Sequence, residues 1–284
     1  MPHPTTTASC RKVTLFVQCL VDAFQPQVAQ SMVDIFSHLG LEVECPTEQT
    51  CCGQMAFNAG HRKEAAVAAR HFVTMFEDAE VIVCPSGSCT AMVVHHYPQL
   101  LATDHRWAER AKRVAAKTYE FTQFVVDALG VQDLGSKYAG TATYHDSCHL
   151  ARSLGIREQP RLLLNNISGL NLVEMEDSDR CCGFGGVFSI KYPEISSALL
   201  QDKVTNIRNS GAELVVGCDV GCLMNIQGML HRQGSRIQTM HIAQLLGFSF
   251  ASGKSVKFLP FHGDPLRPLR ERLPLEGELY YGRH

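Results

Sequence analysis

Apolar positions along the chain alternate between strand-like runs and helical spacing, in an order that occurs twice. "KVTLFVQC", residues 12–19, is short and rich in β-formers and reads as a strand ending on a lone cysteine. "PQVAQSMVDIFSHLG" follows, with Val28, Met32, Ile35, Phe36 and Leu39 on one helical face and a stop at Gly40. "LEVEC" resumes as a strand, "HRKEAAVAARHFVTMFEDA" as a helix, and "EVIVC" as a strand apolar enough to be buried on both faces. The same succession returns as the strand "GTATYHDSC", the strand "NLVEME", the helix "ISSALLQDKVTNIRNSGA" and the strand "ELVVGC". Repeated strand–helix–strand order predicts an α/β fold of two pseudo-repeated, doubly wound βαβ halves with right-handed crossovers.

"YEFTQFVVDALG" is predicted as the helix closing the first half, after an insertion "LATDHRWAERAKRVAA", and "MHIAQLLG" closes the second. Glycine and polar residues gather at 132–140, which places the join there and gives repeats at 12–134 and 140–250. Beyond them, residues 251–284 are rich in proline and charge and read as an extended arm, with Tyr280 and Tyr281 available to dock on a partner or on the body.

Composition narrows the classes. The 284 residues suffice for one large domain or two ordinary ones, and 45% hydrophobic with 19% charged residues is ordinary globular composition. A formal charge of −2, with no basic cluster outside the tail, argues against nucleic acid as a partner. The apolar run "VTLFVQCLV" is too short to span a membrane and lacks a following cleavage site, so a cytoplasmic protein is expected. Twelve cysteines in such a chain point to metal or redox chemistry more than to a disulfide framework.

The cysteines carry the repeat most clearly. Cys19 lies 32 positions before Cys51, and Cys148 lies 33 before Cys181; both pairs lead to an adjacent cysteine and a glycine, in "TCCGQM" and "RCCGFGG". A constant offset of 133 superposes "AEVIVCPSGSC" on "AELVVGCDVGC" and brings Cys89 onto Cys222, leaving Cys84 and Cys218 one position apart as extras. Four cysteines therefore recur: Cys19, Cys51, Cys52 and Cys89 in the first half, Cys148, Cys181, Cys182 and Cys222 in the second. All are expected at the C-terminal ends of strands, where this fold class gathers ligand sites.

Adjacent side chains of an extended segment point to opposite faces, so two neighbouring thiolates meet one centre only if the backbone turns sharply. Gly53, Gly183, Gly185 and Gly186 permit such turns and let peptide N–H groups approach sulfur, while the "SGS" of Ser86 to Ser88 opens a helix whose amides could face the same centre. Four thiolates suit a [2Fe–2S] or [4Fe–4S] cluster or tetrahedral zinc; the absence of a C-x2-C knuckle favours the bulkier iron cluster, and reversible dithiol chemistry in the adjacent pairs stays open. His145 and His149 flank Cys148 as candidate metal ligands or hydrogen-bond donors to a cluster sulfur, with a solvent-side or capping role as the alternative; His95 and His96 read as structural, and Cys10 and Cys45 as unmatched thiols. "GFGG" fails the G-x-G-x-x-G spacing of a dinucleotide loop, and no catalytic acid–base set is identifiable.

The doubled Cys-x(about 31)-CCG-x(n)-Cys resembles the cysteine-rich CCG domain of heterodisulfide reductase and of the iron–sulfur subunits of glycolate oxidase and anaerobic glycerol-3-phosphate dehydrogenase. Over residues 12–247, "TCCGQMAFNAG", "PSGSC", "HDSCHLAR", "CCGFGGVFSIKYPEIS" and "CDVGCLMN" are most similar to the lactate-utilisation iron–sulfur protein A group. That resemblance implies a cytoplasmic electron carrier with one [4Fe–4S] cluster per half, in a system that oxidises L-lactate or a similar 2-hydroxy acid, with ferredoxin-like iron–sulfur or flavin subunits as partners. Heterodisulfide-reductase-type domains end in C-x2-C, whereas Ser86 and Asp219 stand three before Cys89 and Cys222. This weakens the alternative of a thiol–disulfide reductase acting at a CCG cluster; a zinc-stabilised scaffold is the other alternative.

Overall fold

A computed structural model describes residues 11–248; Cys10 and the arm expected at 251–284 lie outside the described residues. In the first half β1 (Lys12–Leu15) is followed by α1 (Cys19–Phe24), α2 (Pro26–His38), β2 (Glu42–Glu44), α3 (Gln54–Asn58), α4 (Arg62–Phe76), β3 (Ile82–Cys84), α5 (Gly87–Ala91), α6 (Tyr97–Leu100), α7 (His105–Ala116), β4 (Thr118–Glu120) and α8 (Phe121–Gln123). The second half runs β5 (Lys137–His145), α9 (Glu158–Asn165), β6 (Ser168–Leu172), α10 (Val187–Lys191), α11 (Pro193–Asn209), β7 (Leu214–Gly217), α12 (Val220–Arg232), β8 (Gln238–His241) and α13 (Ile242–Gly247). Single π-helical segments occupy Met92–His96, Phe124–Ala128 and His149–Ser153.

Each half builds one four-stranded, wholly parallel sheet, ordered β2-β1-β3-β4 and β6-β5-β7-β8. The two orders are the same, as the duplicated sequence pattern requires. The expected fold class, two pseudo-repeated doubly wound βαβ halves, is the fold observed. In both sheets the chain leaves the first strand on one side and returns on the other, which creates a switch point between β1 and β3 and between β5 and β7.

Several local expectations are corrected. β1 ends at Leu15, so Cys19 opens a helix instead of closing a strand; the Gln18 side chain accepts from Leu20 N–H and caps that helix. "YEFTQFVVDALG" is not helical from its first residue, because Thr118–Glu120 pairs with β3 as the fourth strand and the helix starts only at Phe121. "MHIAQLLG" likewise begins inside β8. Both strands are three or four residues long and run into a helix with no glycine or proline between, so periodicity gives no sign of them. β5 also starts earlier than the sequence suggests, at Lys137, within the expected join.

Each half has an apolar cluster of its own, around Phe72 and Tyr97 in the first and Leu200 and Ile226 in the second, and a larger one is shared between them. One continuous apolar cluster joins Val13, Leu15, Met32 and Phe36 of the first half to Tyr144, Leu150, Leu214, Leu245 and Leu246 of the second. The cover is reciprocal: α13 of the second half packs on α2 of the first, and α8 of the first packs on α9 of the second. Burying each such Leu or Ile side chain contributes about 1.5–3 kcal/mol, so this shared face holds the halves in one orientation.

A candidate metal centre in each half

The strand ends deliver the cysteines. In the first half Cys19 stands four residues past β1, Cys51 and Cys52 follow β2, and Cys89 lies in the first turn of α5 after β3. Cys148, Cys181, Cys182 and Cys222 stand in the corresponding places after β5, β6 and β7. Each half thus brings its four recurring cysteines together from three distant segments.

Their sulfurs touch. The Cys52 thiol donates to Cys89 Sγ at 3.4 Å and to Cys51, and the Cys19 thiol also donates to Cys51. Cys51 is drawn down to about 3 by the hydrogen bonds from Cys19 and Cys52, and Cys89 to about 5 by those from Cys52 and Cys84, while Cys19 and Cys52 are pushed well up. The second half repeats this: Cys148 and Cys182 donate to Cys181, which falls to about 2, and Cys182 donates to Cys222. Sulfurs packed this closely ionise together only when a cation sits among them.

The CCG turns are built on glycine for a reason of space. Gly53 has φ 78° and Gly183 φ 79°; a Cβ on Gly183 would lie 2.3 Å from the Ser196 carbonyl oxygen, and one on Gly53 3.0 Å from Ala68 Cβ. The turn also sends the Gly53 N–H to Cys51 Sγ at 3.4 Å and the Gly183 N–H to Cys181 Sγ at 3.3 Å. Each turn is then pinned from behind. Tyr97 donates to the Cys52 carbonyl at 2.9 Å; Asn225 donates to that of Cys182 at 2.9 Å and Ser196 to that of Gly183 at 2.7 Å. Gly185 and Gly186 also have positive φ, at 51° and 61°, and lead the chain into α10.

Ser86 and Ser88 sit beside these cysteines but direct their donors elsewhere. Ser86 Oγ accepts from Cys89 N–H at 3.2 Å and donates to Asp219 Oδ1 at 2.6 Å; Ser88 donates to the same oxygen from Oγ at 2.9 Å and from N at 3.3 Å. Ser147 holds Asp219 Oδ2. This buried carboxylate, which the sequence marked only as standing where related domains carry a further cysteine, ties the two cysteine loops to each other. The offset of 133 that aligned Cys89 with Cys222 also pairs Ser86 with Asp219, so the contact lies where the two repeats face each other. His241 adds a second tie: its Nδ1 accepts from Ala243 N–H, leaving Nε2–H to donate to Pro85 O at 3.0 Å and Cys218 O at 3.1 Å.

The remaining candidates separate. His95 bonds the Ser153 carbonyl at 3.0 Å, His96 stacks on Phe57, and Cys45 is exposed. Cys84 donates to Cys89 and so joins the first set. Cys218 is engaged instead by the Tyr144 hydroxyl at 3.1 Å and by Glu120. His149 Nδ1 lies 3.6 Å from Cys148 Sγ. His145 is 1% exposed and lies with Cys182 and Cys222, the donor atoms all within 4.8 Å of one another; burial holds its imidazole down to about 4 and hence neutral at pH 7. Four sulfurs with a turn N–H to one of them, and in the second half a neutral imidazole, form a donor set that fits a thiolate-bound metal or iron–sulfur cluster.

The chain matches the Cysteine-rich domain family, CCG, at residues 13–94 and 142–227. It is 49% identical over 235 residues to the lactate utilization protein A of Bacillus cytotoxicus, covering 83% of this chain and 98% of that one. The lactate utilization protein A of Bacillus cereus strain G9842 is 48% identical with the same coverage. Among solved structures, a hypothetical protein from Helicobacter pylori superposes with a TM-score of 0.59 at 11% identity, over 88% of this chain and 51% of that one; the chain spans about half of that protein's length, and the likeness is one of fold. No helix among the described residues is long and apolar enough to cross a membrane. With both halves matched and the relatives covered almost end to end, the chain belongs to the CCG cysteine-rich-domain family and, within it, to the group of the lactate utilization A proteins.

Proposed function

We propose that this chain is the iron–sulfur electron-transfer subunit of a cytoplasmic system that oxidises L-lactate or a similar 2-hydroxy acid. The names of its relatives supply the substrate class. Within each repeat, 12–134 and 140–250, one [4Fe–4S] cluster is held by Cys19, Cys51, Cys52 and Cys89 or by Cys148, Cys181, Cys182 and Cys222. The observation that carries this reading is the convergence, in both halves, of four sulfurs from three segments into one hydrogen-bonded set.

When bound, such a cluster accepts and returns single electrons. The chain's own groups prepare the place. The Gly53 and Gly183 N–H groups stabilise thiolate charge, and Tyr97, Asn225 and Ser196 fix the turns so that little has to reorganise as charge changes. Oxidation of a 2-hydroxy acid to the 2-oxo acid releases two electrons and two protons. A ferredoxin-like or flavin partner subunit performs that carbon chemistry or takes the electrons onward. Ser86 and Asp219 bond to each other at the positions where heterodisulfide-type domains carry a further cysteine, which leaves no thiol there for disulfide cleavage.

The test is iron, acid-labile sulfide and zinc per chain after anaerobic purification, with an EPR spectrum of the reduced protein. About eight iron and eight sulfide support two four-iron clusters. Zinc without sulfide overturns the reading.

A further inference from the structure

His145 ends β5, three residues before Cys148, and the protein gives it nothing to bond. Both ring nitrogens are buried and neither has a hydrogen-bond partner. Leaving a buried polar atom unpaired costs about 1–3 kcal/mol, so a site that retains two of them on one ring has a use for a ligand there. The ring lies with Cys182 and Cys222, all three donor atoms within 4.8 Å of one another, close enough to share one metal ion.

Among the described residues no imidazole of the first half is grouped with its cysteines in this way; the His96 ring, whose Nδ1 is also buried without a partner, lies against Phe57. The offset of 129 that carries Cys148 onto Cys19 carries His145 onto Phe16, whose ring is buried edge-on against Phe72 at 4.8 Å and Phe76 at 5.8 Å. What the first half adds to its four cysteines is a fifth sulfur, Cys84, hydrogen-bonded to Cys89. The nearest counterpart in the second half, Cys218, is committed to Tyr144 and Glu120. One set is therefore thiolate only, and the other has an imidazole at its edge.

We propose that the centre of the second half is a mixed imidazole–thiolate site in which His145 supplies a nitrogen ligand beside Cys182 and Cys222 and takes the place of one of the other two thiolates of the four-cysteine set, Cys148 or Cys181, while the centre of the first half is all-thiolate. The inference rests on the reading that each half holds a metal centre. A neutral imidazole in place of an anionic thiolate lowers the negative charge of the centre and favours its reduced form, so the two halves of a duplicated chain differ in electron affinity and the electron settles on the second.

The experiment uses full-length protein purified anaerobically, either unlabelled or grown on 15N-histidine, reduced and examined by pulsed EPR for nitrogen coupling. A directly bound histidine nitrogen gives a strong coupling that changes with the label. It is expected to persist in the double variant Cys51→Ser/Cys52→Ser, which removes the first centre. It is expected to vanish in His145→Phe, which copies Phe16 and keeps the space filled. Iron and sulfide at full complement without histidine coupling in the unsubstituted protein, or coupling that survives in His145→Phe, overturns the proposal and leaves the iron–sulfur reading intact. Absence of sulfide overturns that reading instead. Cobalt(II) added to the metal-free reduced protein then reports on His145 separately: its absorption bands distinguish three sulfurs and one nitrogen from four sulfurs, and affinity should fall at least about tenfold in His145→Phe. Identical bands and affinity in the two proteins overturn the proposal by this second route.

Discussion

Replacing Glu120 by Gln should stabilise the protein at alkaline pH and leave it nearly unchanged under acid conditions. Glu120 is fully buried at the end of β4, where its Oε2 caps α8 by accepting from Thr122 N at 2.7 Å and Gln123 N at 3.2 Å. Its Oε1 has no hydrogen-bond partner, and the carboxyl group lies beside the Cys218 thiol. Burial, partly offset by the Thr122 and Gln123 hydrogen bonds, raises the carboxyl from 4.5 to about 7. Below pH 4.5 the folded and unfolded chains both carry the proton; between 4.5 and 7 only the folded chain does, so stability falls as pH rises through that window and levels off above it. The gap corresponds to about 3 kcal/mol in full, and about 2–3 kcal/mol of it falls between pH 5 and pH 8. Gln keeps an oxygen for the cap and has no charge to bury. Urea unfolding of both proteins under strict exclusion of oxygen, at pH 5 and at pH 8, gives the difference directly: the Gln variant should gain about 2–3 kcal/mol relative to the parent between the two pH values. Stability curves that run parallel with pH would refute the reasoning, because they would mean that Glu120 titrates alike in the folded and unfolded chains.

Gly183→Ala places a Cβ 2.3 Å from the Ser196 carbonyl at a positive φ, so it should cost about 2–4 kcal/mol and halve the iron content, seen by thermal unfolding and metal analysis. Asp219→Ala removes the acceptor shared by Ser86, Ser88 and Ser147; the expected loss is about 2–4 kcal/mol in denaturant unfolding, whereas Asp219→Asn, which keeps one acceptor oxygen, should lose less. Tyr97→Phe leaves the Cys52 carbonyl without its donor and should cost about 1–2 kcal/mol; a melting temperature equal to the parent's would show that the hydrogen bond contributes nothing net.

The fold was legible wherever one element has one period. Val28, Met32, Ile35 and Phe36 mark α2 and are all fully buried, and the apolar runs before Cys84 and Cys218 are central strands. Edge strands β4 and β8 were hidden because three or four residues cannot display a period of two before a helical period takes over. The cysteine sets could be read from adjacency and repeat spacing, since those carry across the whole chain. The ties between the halves could not: Ser86, Asp219 and His241 are ordinary polar residues whose partners lie on other segments, and a linear pattern carries no sign of a hydrogen bond between positions 133 apart. His145 stood beside Cys148 in "HDSCH", but only burial without a partner separates it from His149.

The Ser86–Asp219 contact bears on how a duplicated protein is free to change. In two identical subunits related by a two-fold axis, a residue that meets its own equivalent is set opposite itself, so an aspartate at this position would confront its own copy in a buried space, charge against charge. Joining the copies into one chain lifts that constraint. A hydroxyl of one half can then answer a carboxylate of the other, and at a matching pair of positions a phenyl ring can stand in one half and an imidazole in the other. The near-symmetry of the two sheets and the asymmetry of what they hold have the same origin: a shared face that fixes the frame, and a covalent link that lets each side be edited alone.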